Sequence, residues 1–381
     1  MKKKYLLAPG PTPVPPKALA AMSEPIIHHR TSAYREIFAE INEGLQDIFQ
    51  TKNEVLTFAS SGTGAMEAAV ANLLSPGDKV LVVSGGKFGE RFGEISEAYG
   101  VEVLPLEVEW GKAVDPADIG RKLKEIGNIK AVFTTLCETS TGVVNDIRGV
   151  GNVVKDYETV LVVDAISGLG AMEFKPDAWK VDVVVAGSQK GLMIPPGLSF
   201  VSLSEKGWNL VEKSQLPKYY FSFEKARESL KKNDHPFTPA VSLIMALREA
   251  VKMIREEGLE NVWARHALLA EATRAGVIAL GLELFAPQAP SNSVTAVKVP
   301  EGIDGVAVLN NMRDKQGITL AGGQAHLKGK IVRLAHLGYA DRFDVTLVIS
   351  ALEMVLSELG YNLELGRGVA AAEKVLMEKK R

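Results

Sequence analysis

An α/β fold is expected here: a large unit with a mainly parallel seven-stranded sheet between helices, then a smaller C-terminal α+β unit. Two observations point to the large unit. Short apolar runs recur at Val55–Ala59, Val80–Val83, Val101–Leu106, Ala131–Thr135, Val160–Val163, Val181–Ala186 and Leu198–Leu203. They do not alternate apolar with polar residues, which is how strands covered on both faces read. Most stretches between them hold a helical pattern, Ala65–Leu74 and Phe88–Tyr99 among them, and strands alternating with helices build parallel sheets. A third observation marks the smaller unit. Past residue 260 the order becomes a helical stretch from Leu259 to Leu280, a strand at Ser293–Val299, a helix near Gly305–Lys315, a strand at Ile331–Leu334 and a long helix from Arg342 to Leu359.

Pro9 to Pro16 is too rich in proline for regular helix or a central strand and reads as an extended arm. A chain of 381 residues exceeds the usual single core. The expected division is an N-terminal arm over residues 1–16, a large domain over 17–260 and a small domain over 261–381. No internal repeat or low-complexity tract is visible. The net charge of −2 supplies no basic field for nucleic acid. Cys137 stands alone, which excludes an internal disulfide and a cysteine-held metal or iron–sulfur site within one chain. No apolar run approaches the roughly 20 residues needed to cross a bilayer. The apolar stretch within Met1–Gly10 is too short for a signal peptide, and Lys379-Lys380-Arg381 is not a peroxisomal address. A cytoplasmic protein that binds neither nucleic acid nor membrane is expected.

Two strand ends carry chemistry. The run Val160–Val163 ends in Asp164, and Val183-Val184-Val185-Ala186 ends at Gly187-Ser188-Gln189-Lys190-Gly191. Ligands of parallel sheets bind at the carboxyl ends of strands, where both residues fall. A lysine and an acid so placed suit pyridoxal 5'-phosphate (PLP): the amine holds the aldehyde as a Schiff base, and the carboxylate keeps the pyridine nitrogen protonated. Ser60-Ser61-Gly62-Thr63-Gly64-Ala65-Met66-Glu67 follows one strand and opens a helix. Glycines let the backbone approach an anion while hydroxyls and the helix N-terminus supply donors. No lysine follows and the GxGxxG spacing is absent, so this is neither a Walker loop nor a dinucleotide fingerprint.

With these residues in place the chain resembles the class V aminotransferases of PLP fold type I, in the serine–pyruvate, alanine–glyoxylate and serine–glyoxylate branch. The resemblance runs through Pro9-Gly10-Pro11-Thr12-Pro13-Val14-Pro15, Ser61-Gly62-Thr63, Thr139-Ser140-Thr141-Gly142, Val163 to Gly170, Gly187 to Gly191 with Pro195-Pro196-Gly197, Thr238 to Leu243, and Gly329 to Leu334. It implies an aminotransferase that moves an amino group from serine or alanine to glyoxylate or pyruvate by a ping-pong cycle. Aspartate or phosphoserine is the alternative donor. Lys190 would hold the cofactor and shuttle the proton between the substrate α-carbon and cofactor C4', and Asp164 would pair with the pyridinium nitrogen. Ser61, Gly62, Thr63 and Gln189 would bind the phosphate, Phe88 would stack on the ring, and Ile166 would line the same site. Ser140 would approach the 3' oxygen and the substrate. Arg333 would clamp the substrate carboxylate, a task suited to guanidinium, with the Gly10 backbone on the opposite wall. Thr238 would reach the phosphate from the partner subunit of a homodimer.

Plainer readings compete at each position. Asp164 also suits a helix N-cap, Lys190 a solvated loop, Phe88 the core and Arg333 an edge strand. His28-His29-Arg30 looks catalytic, yet no third metal ligand with suitable spacing is visible, and no metal is expected. His235 falls near a position where relatives place a tyrosine. A cysteine desulfurase would need its cysteine on a mobile loop of the second half, unlike Cys137. A non-catalytic hydrogenase subunit is the rival from another class, though one cysteine cannot hold a cluster.

Overall fold

The central sheet has seven strands: β1 (Val55–Phe58), β2 (Lys79–Ser84), β3 (Glu102–Glu107), β4 (Ala131–Thr135), β5 (Val160–Asp164), β6 (Val183–Gly187) and β7 (Ser199–Leu203). Their order is β1-β7-β6-β5-β4-β2-β3. The pairs from β6 to β3 are all parallel, and β7 runs antiparallel to both its neighbours. This computed structural model describes residues 3–378; Met1, Lys2 and Lys379–Arg381, with the readings made of them, lie outside it.

Alternation along the strands explains why their sequences do not alternate. Leu81, Val83, Val132, Leu161, Val163, Val184 and Phe200 enter one core, against helices α1 (Pro16–Ser23), α2 (Ser32–Phe49) and Val241–Glu257. Val80, Val82, Phe133, Val160, Val162, Val183 and Val185 enter the other, against α3 (Gly62–Leu73) and α4 (Lys87–Ala98). Both faces are covered, and each such side chain contributes roughly 1.5–3 kcal/mol on burial. Strand β3 differs: it is half exposed and carries Pro105, which has no N–H for a second neighbour, so it can only be an edge.

One connection departs from the alternation, and one boundary shifts. The segment 188–198 between β6 and β7 holds no helix, and without a crossover the chain returns antiparallel. Pro16 belongs to helix α1, not to the arm, because proline at the first helical position loses no internal bond.

The second half has a three-stranded antiparallel sheet, with Ile331–Ala335 between Val294–Lys298 and Ala321–Gly322. Helices Leu259–Ala279, Arg342–Glu358 and Arg367–Glu378 pack with it around a separate apolar cluster. The arm joins this cluster through Leu7. Tyr5–Leu6 pairs in parallel with Ile318–Thr319, and Ala335 N–H donates to the Leu7 carbonyl at 3.0 Å. From there the chain crosses to the central sheet, where Thr12 N–H donates to the Gln189 carbonyl at 3.1 Å.

Candidate active site

One cleft opens at the carboxyl ends of the parallel strands. Each wall follows a different strand. Ser61, Gly62 and Thr63 come after β1, Phe88 and Arg91 after β2, Thr139 after β4, Asp164, Ile166 and Ser167 from the end of β5, and Gln189 and Lys190 after β6. Eight residues named from sequence therefore meet here: Ser61, Gly62, Thr63, Phe88, Asp164, Ile166, Gln189 and Lys190.

Lys190 and Asp164 each favour the other's charged form, and burial works against both. Burial pushes the Asp164 carboxyl up to about 7, although the Ile166 amide, donating to Oδ1 at 2.7 Å, and the nearby Lys190 and Arg91 charges pull it down. Burial lowers the Lys190 amine to about 8, against the pull of the Asp164 charge. That amine donates to the Pro9 carbonyl of the arm. The arm is fixed over it: Thr12 Oγ1 donates toward the Lys190 carbonyl at 3.2 Å, and a side chain at Gly10 would collide with the Lys190 Nζ. Gly10 thus lies against the lysine itself, at a φ of +140° that favours glycine.

The Ser61–Thr63 turn has the features of an anion cup. Ser61 is the N-cap of α3 but makes no side-chain capping bond, so its hydroxyl is left for another acceptor. Gly62 lies so close to Ile166 that a side chain there would strike its Cδ1. The Gln189 Oε1 is buried with no hydrogen-bond partner, and the amide can equally present its N–H₂ to an anion. Uncharged donors around a glycine turn, a half-buried Phe88 ring, a buried carboxyl and an amine with lowered pKa fit the phosphate, ring, pyridine nitrogen and aldehyde of PLP.

Three named residues stand apart. Ser140 is fully buried: its hydroxyl donates to Glu138 Oε1 at 2.6 Å and accepts the Lys87 N–H at 3.1 Å, while neighbouring Thr139 lines the cleft. Arg333 lies in the central strand of the small sheet rather than an edge strand. It is buried, donating to the Gly322 carbonyl at 2.9 Å and the Thr139 carbonyl at 2.8 Å, and burial lowers it to about 10. Thr238 lines a separate surface pocket with Tyr220, His235 and Phe237.

Arg91, Glu138, Thr139 and Ser167 were not singled out from sequence. Glu138 is buried without a cation in contact among the described residues, and it does the work of a missing cap. The N-cap of α4 is Gly86, which has no side chain to offer, and Glu138 Oε2 accepts from Phe88 N at 3.1 Å and Gly89 N at 2.8 Å. Only the three-dimensional approach of the turn after β4 to that helix end reveals it. His28 and His29 stack at 4.8 Å on an outer loop. His235 packs on Phe38 and bonds the Tyr34 hydroxyl at 2.9 Å. Cys137 is buried against Ser291 and Ser293, with its thiol pushed up by burial.

Residues 4–342 match the profile of the family described as Aminotransferase class-V. The chain is 46% identical to the "Soluble hydrogenase 42 kDa subunit" of Anabaena cylindrica, over 98% of each chain. It is 35% identical to a serine–glyoxylate aminotransferase of Methylorubrum extorquens, over 99% of this chain and 96% of that one. The solved ureidoglycine–glyoxylate aminotransferase of Bacillus subtilis superposes with a TM-score of 0.94 at 33% identity, covering 99% of this chain and 98% of that one. A cleft that joins an amine, an acid and a glycine turn, on a chain related along its length to aminotransferases, leads to one conclusion: this protein is a member of the class V aminotransferases, a PLP-dependent transaminase of fold type I.

Proposed function

We propose that the enzyme transfers the amino group of serine or alanine to glyoxylate or pyruvate in a ping-pong cycle. The observation that carries the reading is the placement of Asp164 and Lys190 at the ends of adjacent parallel strands inside one cleft. Glyoxylate as acceptor is supported by the two relatives above that are named for it.

Bound PLP supplies an electron sink that makes the amino acid's α-proton acidic. The chain's residues then divide the work. Lys190 Nζ takes the α-proton, and an amine lowered to about 8 is available in its neutral form close to neutral pH. Asp164 keeps the pyridine nitrogen protonated. Ser61, Gly62, Thr63 and Gln189 hold the phosphate, while Phe88 and Ile166 bracket the ring. Arg333 takes the substrate carboxylate, in place of the partial charge of two backbone carbonyls. Gly10 and Pro9 close the side of the cleft over the lysine. Ser140 acts on cofactor and substrate through Thr139 and the first turn of α4.

We further propose a homodimer in which Thr238 serves the partner's phosphate. Its place on a surface pocket outside its own cleft, beside the exposed Tyr220, supports this. The chain up to Pro15, the stretch from Pro16 to residue 260 and the stretch from residue 261 onward then act as arm, large domain and small domain. Among the described residues no helix is long and apolar enough to cross a membrane, and the cytoplasm is the compartment we assign.

Single-turnover spectra of the PLP-loaded enzyme with serine, alanine, aspartate and phosphoserine test the donor. Rapid loss of the yellow colour with serine or alanine is expected. A faster response to aspartate or phosphoserine would overturn the donor assignment, and a protein that cannot be loaded with PLP would overturn the site.

A further inference from the structure

Arg91 occupies a position in the cleft that the steps above leave without a task. It stands one turn into α4, on the same wall as Phe88. Its Nη1 donates to Thr63 Oγ1 at 3.2 Å, and its guanidinium lies 4.9 Å from the centre of the Phe88 ring. Among the described residues no carboxylate forms an ion pair with it. Lys190 is the other cation lining the cleft, and that amine is committed to the aldehyde.

The cup itself carries no formal charge. Ser61, Gly62, Thr63 and Gln189 offer hydroxyl, amide and backbone donors, and the N-terminus of α3 adds only about half a positive charge. A phosphate monoester carries about −1.5 to −2 at neutral pH, so a neutral cup leaves most of that charge unmatched in a cleft where burial already works against Asp164. We infer that Arg91 is the counter-charge of the cofactor's phosphate, held beside the cup by Thr63 and laid against Phe88. Guanidinium suits both contacts, since its planar face stacks on a ring while its edge bonds phosphate oxygens. Glu138 supports the placement by fixing the first turn of the helix that carries both residues.

The inference rests on the reading of Ser61–Thr63 as the phosphate cup, and the test separates the two. Dissociation constants of PLP and of pyridoxal, which lacks the phosphate, are measured on cofactor-free protein by fluorescence quenching. Arg91→Met, which keeps the aliphatic stem, is expected to weaken PLP about tenfold to a hundredfold and leave pyridoxal unchanged. Arg91→Lys should keep most of the preference for PLP. An unchanged PLP constant, an equal loss for both ligands, or equal losses in the Met and Lys variants would overturn the role. Arg91→Gln gives the same reading if the Met variant does not fold. Ser61→Ala is the control: a preserved preference there shows the cup to be misplaced, whereas a loss there with none in Arg91→Met removes Arg91 alone.

Discussion

Asp164 and Asp234 are both shielded from solvent, 4% and 6% exposed, but Asp164 lies deep in the fold and Asp234 close to its surface, and their charges fare oppositely. Burial pushes Asp164 up to about 7, with one backbone amide as its hydrogen-bond donor. Burial also pushes on Asp234, but Arg30 at 2.7 Å, Arg35 at 2.9 Å and the His235 amide at 2.8 Å outweigh it and hold the carboxyl low. Depth and donors act together: the deep carboxyl has one donor and is raised, and the shallow one has two cations and an amide and is held low. The contrast extends to the neighbours. Around Asp234, His235 bonds Tyr34 and Arg30 bonds the His235 carbonyl at 2.9 Å. In the cleft, Gln189 Oε1 has no partner and Lys190 has only the Pro9 carbonyl for a hydrogen bond. Asp234 has its cations and donors in place, although the Arg35 Nε beside it is buried without a partner, while the cleft leaves an amine and an amide for a ligand.

The sharpest break of this comparison is Lys190→Ala. Amino transfer should fall by at least about 10²–10⁴-fold, while the protein stays folded and retains some PLP without a covalent bond. Full activity in a transaminase assay would remove the lysine from the chemistry.

Asp164→Asn comes next, with two readouts. Turnover should drop about 10²–10³-fold, as when a fixed charge is lost from a reacting centre. Stability of the cofactor-free protein should rise. A raised carboxyl keeps its proton in the fold after the unfolded chain has released it, so its cost to stability grows from pH 3.8 to about 7. The asparagine variant escapes that cost, which on this shift is on the order of 4 kcal/mol. Urea unfolding at pH 4 and pH 8 should therefore show the gain at pH 8 only. No difference between the two would mean that Asp164 is paired after all.

Arg333→Gln should raise KM for both amino acid and oxo acid about tenfold to a hundredfold, with less effect on kcat. A rise for one substrate alone would place the residue on its side chain, not its carboxylate.

The smallest effect is expected at Asp234. Asp234→Asn should cost about 1 kcal/mol or less at pH 7, since Arg30 and Arg35 are themselves 43% and 42% exposed and solvent screens them. Its pH dependence has the opposite sign. A lowered carboxyl contributes above its unfolded value of 3.8 and loses that contribution as pH falls through the folded one. The variant and wild type should converge in acid, and divergence there would contradict the pairing.

Most of the cleft was legible because parallel strands place their ends on one edge. Once Val160–Asp164 and Val183–Gly187 read as buried neighbours, Asp164 and Lys190 had to lie near each other, and a glycine turn after another such strand had to join them. Arg91 and Glu138 were not legible. Nothing in Lys87-Phe88-Gly89-Glu90-Arg91 separates a cleft arginine from one on a solvated helix face, and Glu138 caps a helix from a distant turn. Ser140 shows the same limit: the motif marks Thr139-Ser140 as important, but local rotation alone decides that Thr139 faces the cleft and Ser140 faces Glu138.

The sequence by itself determined the strand–helix alternation, the sheet edge on which the cleft opens and the residue types suited to PLP, because these depend on periodicity and on the reach of a few residues. Tertiary structure alone decided the docking of the arm on Lys190, the burial that moves Asp164 and Lys190 toward each other's working range, and the positions of Arg91, Glu138 and Arg333. Those depend on contacts between segments far apart in the chain, where desolvation and hydrogen-bond count are set by packing that no local pattern encodes.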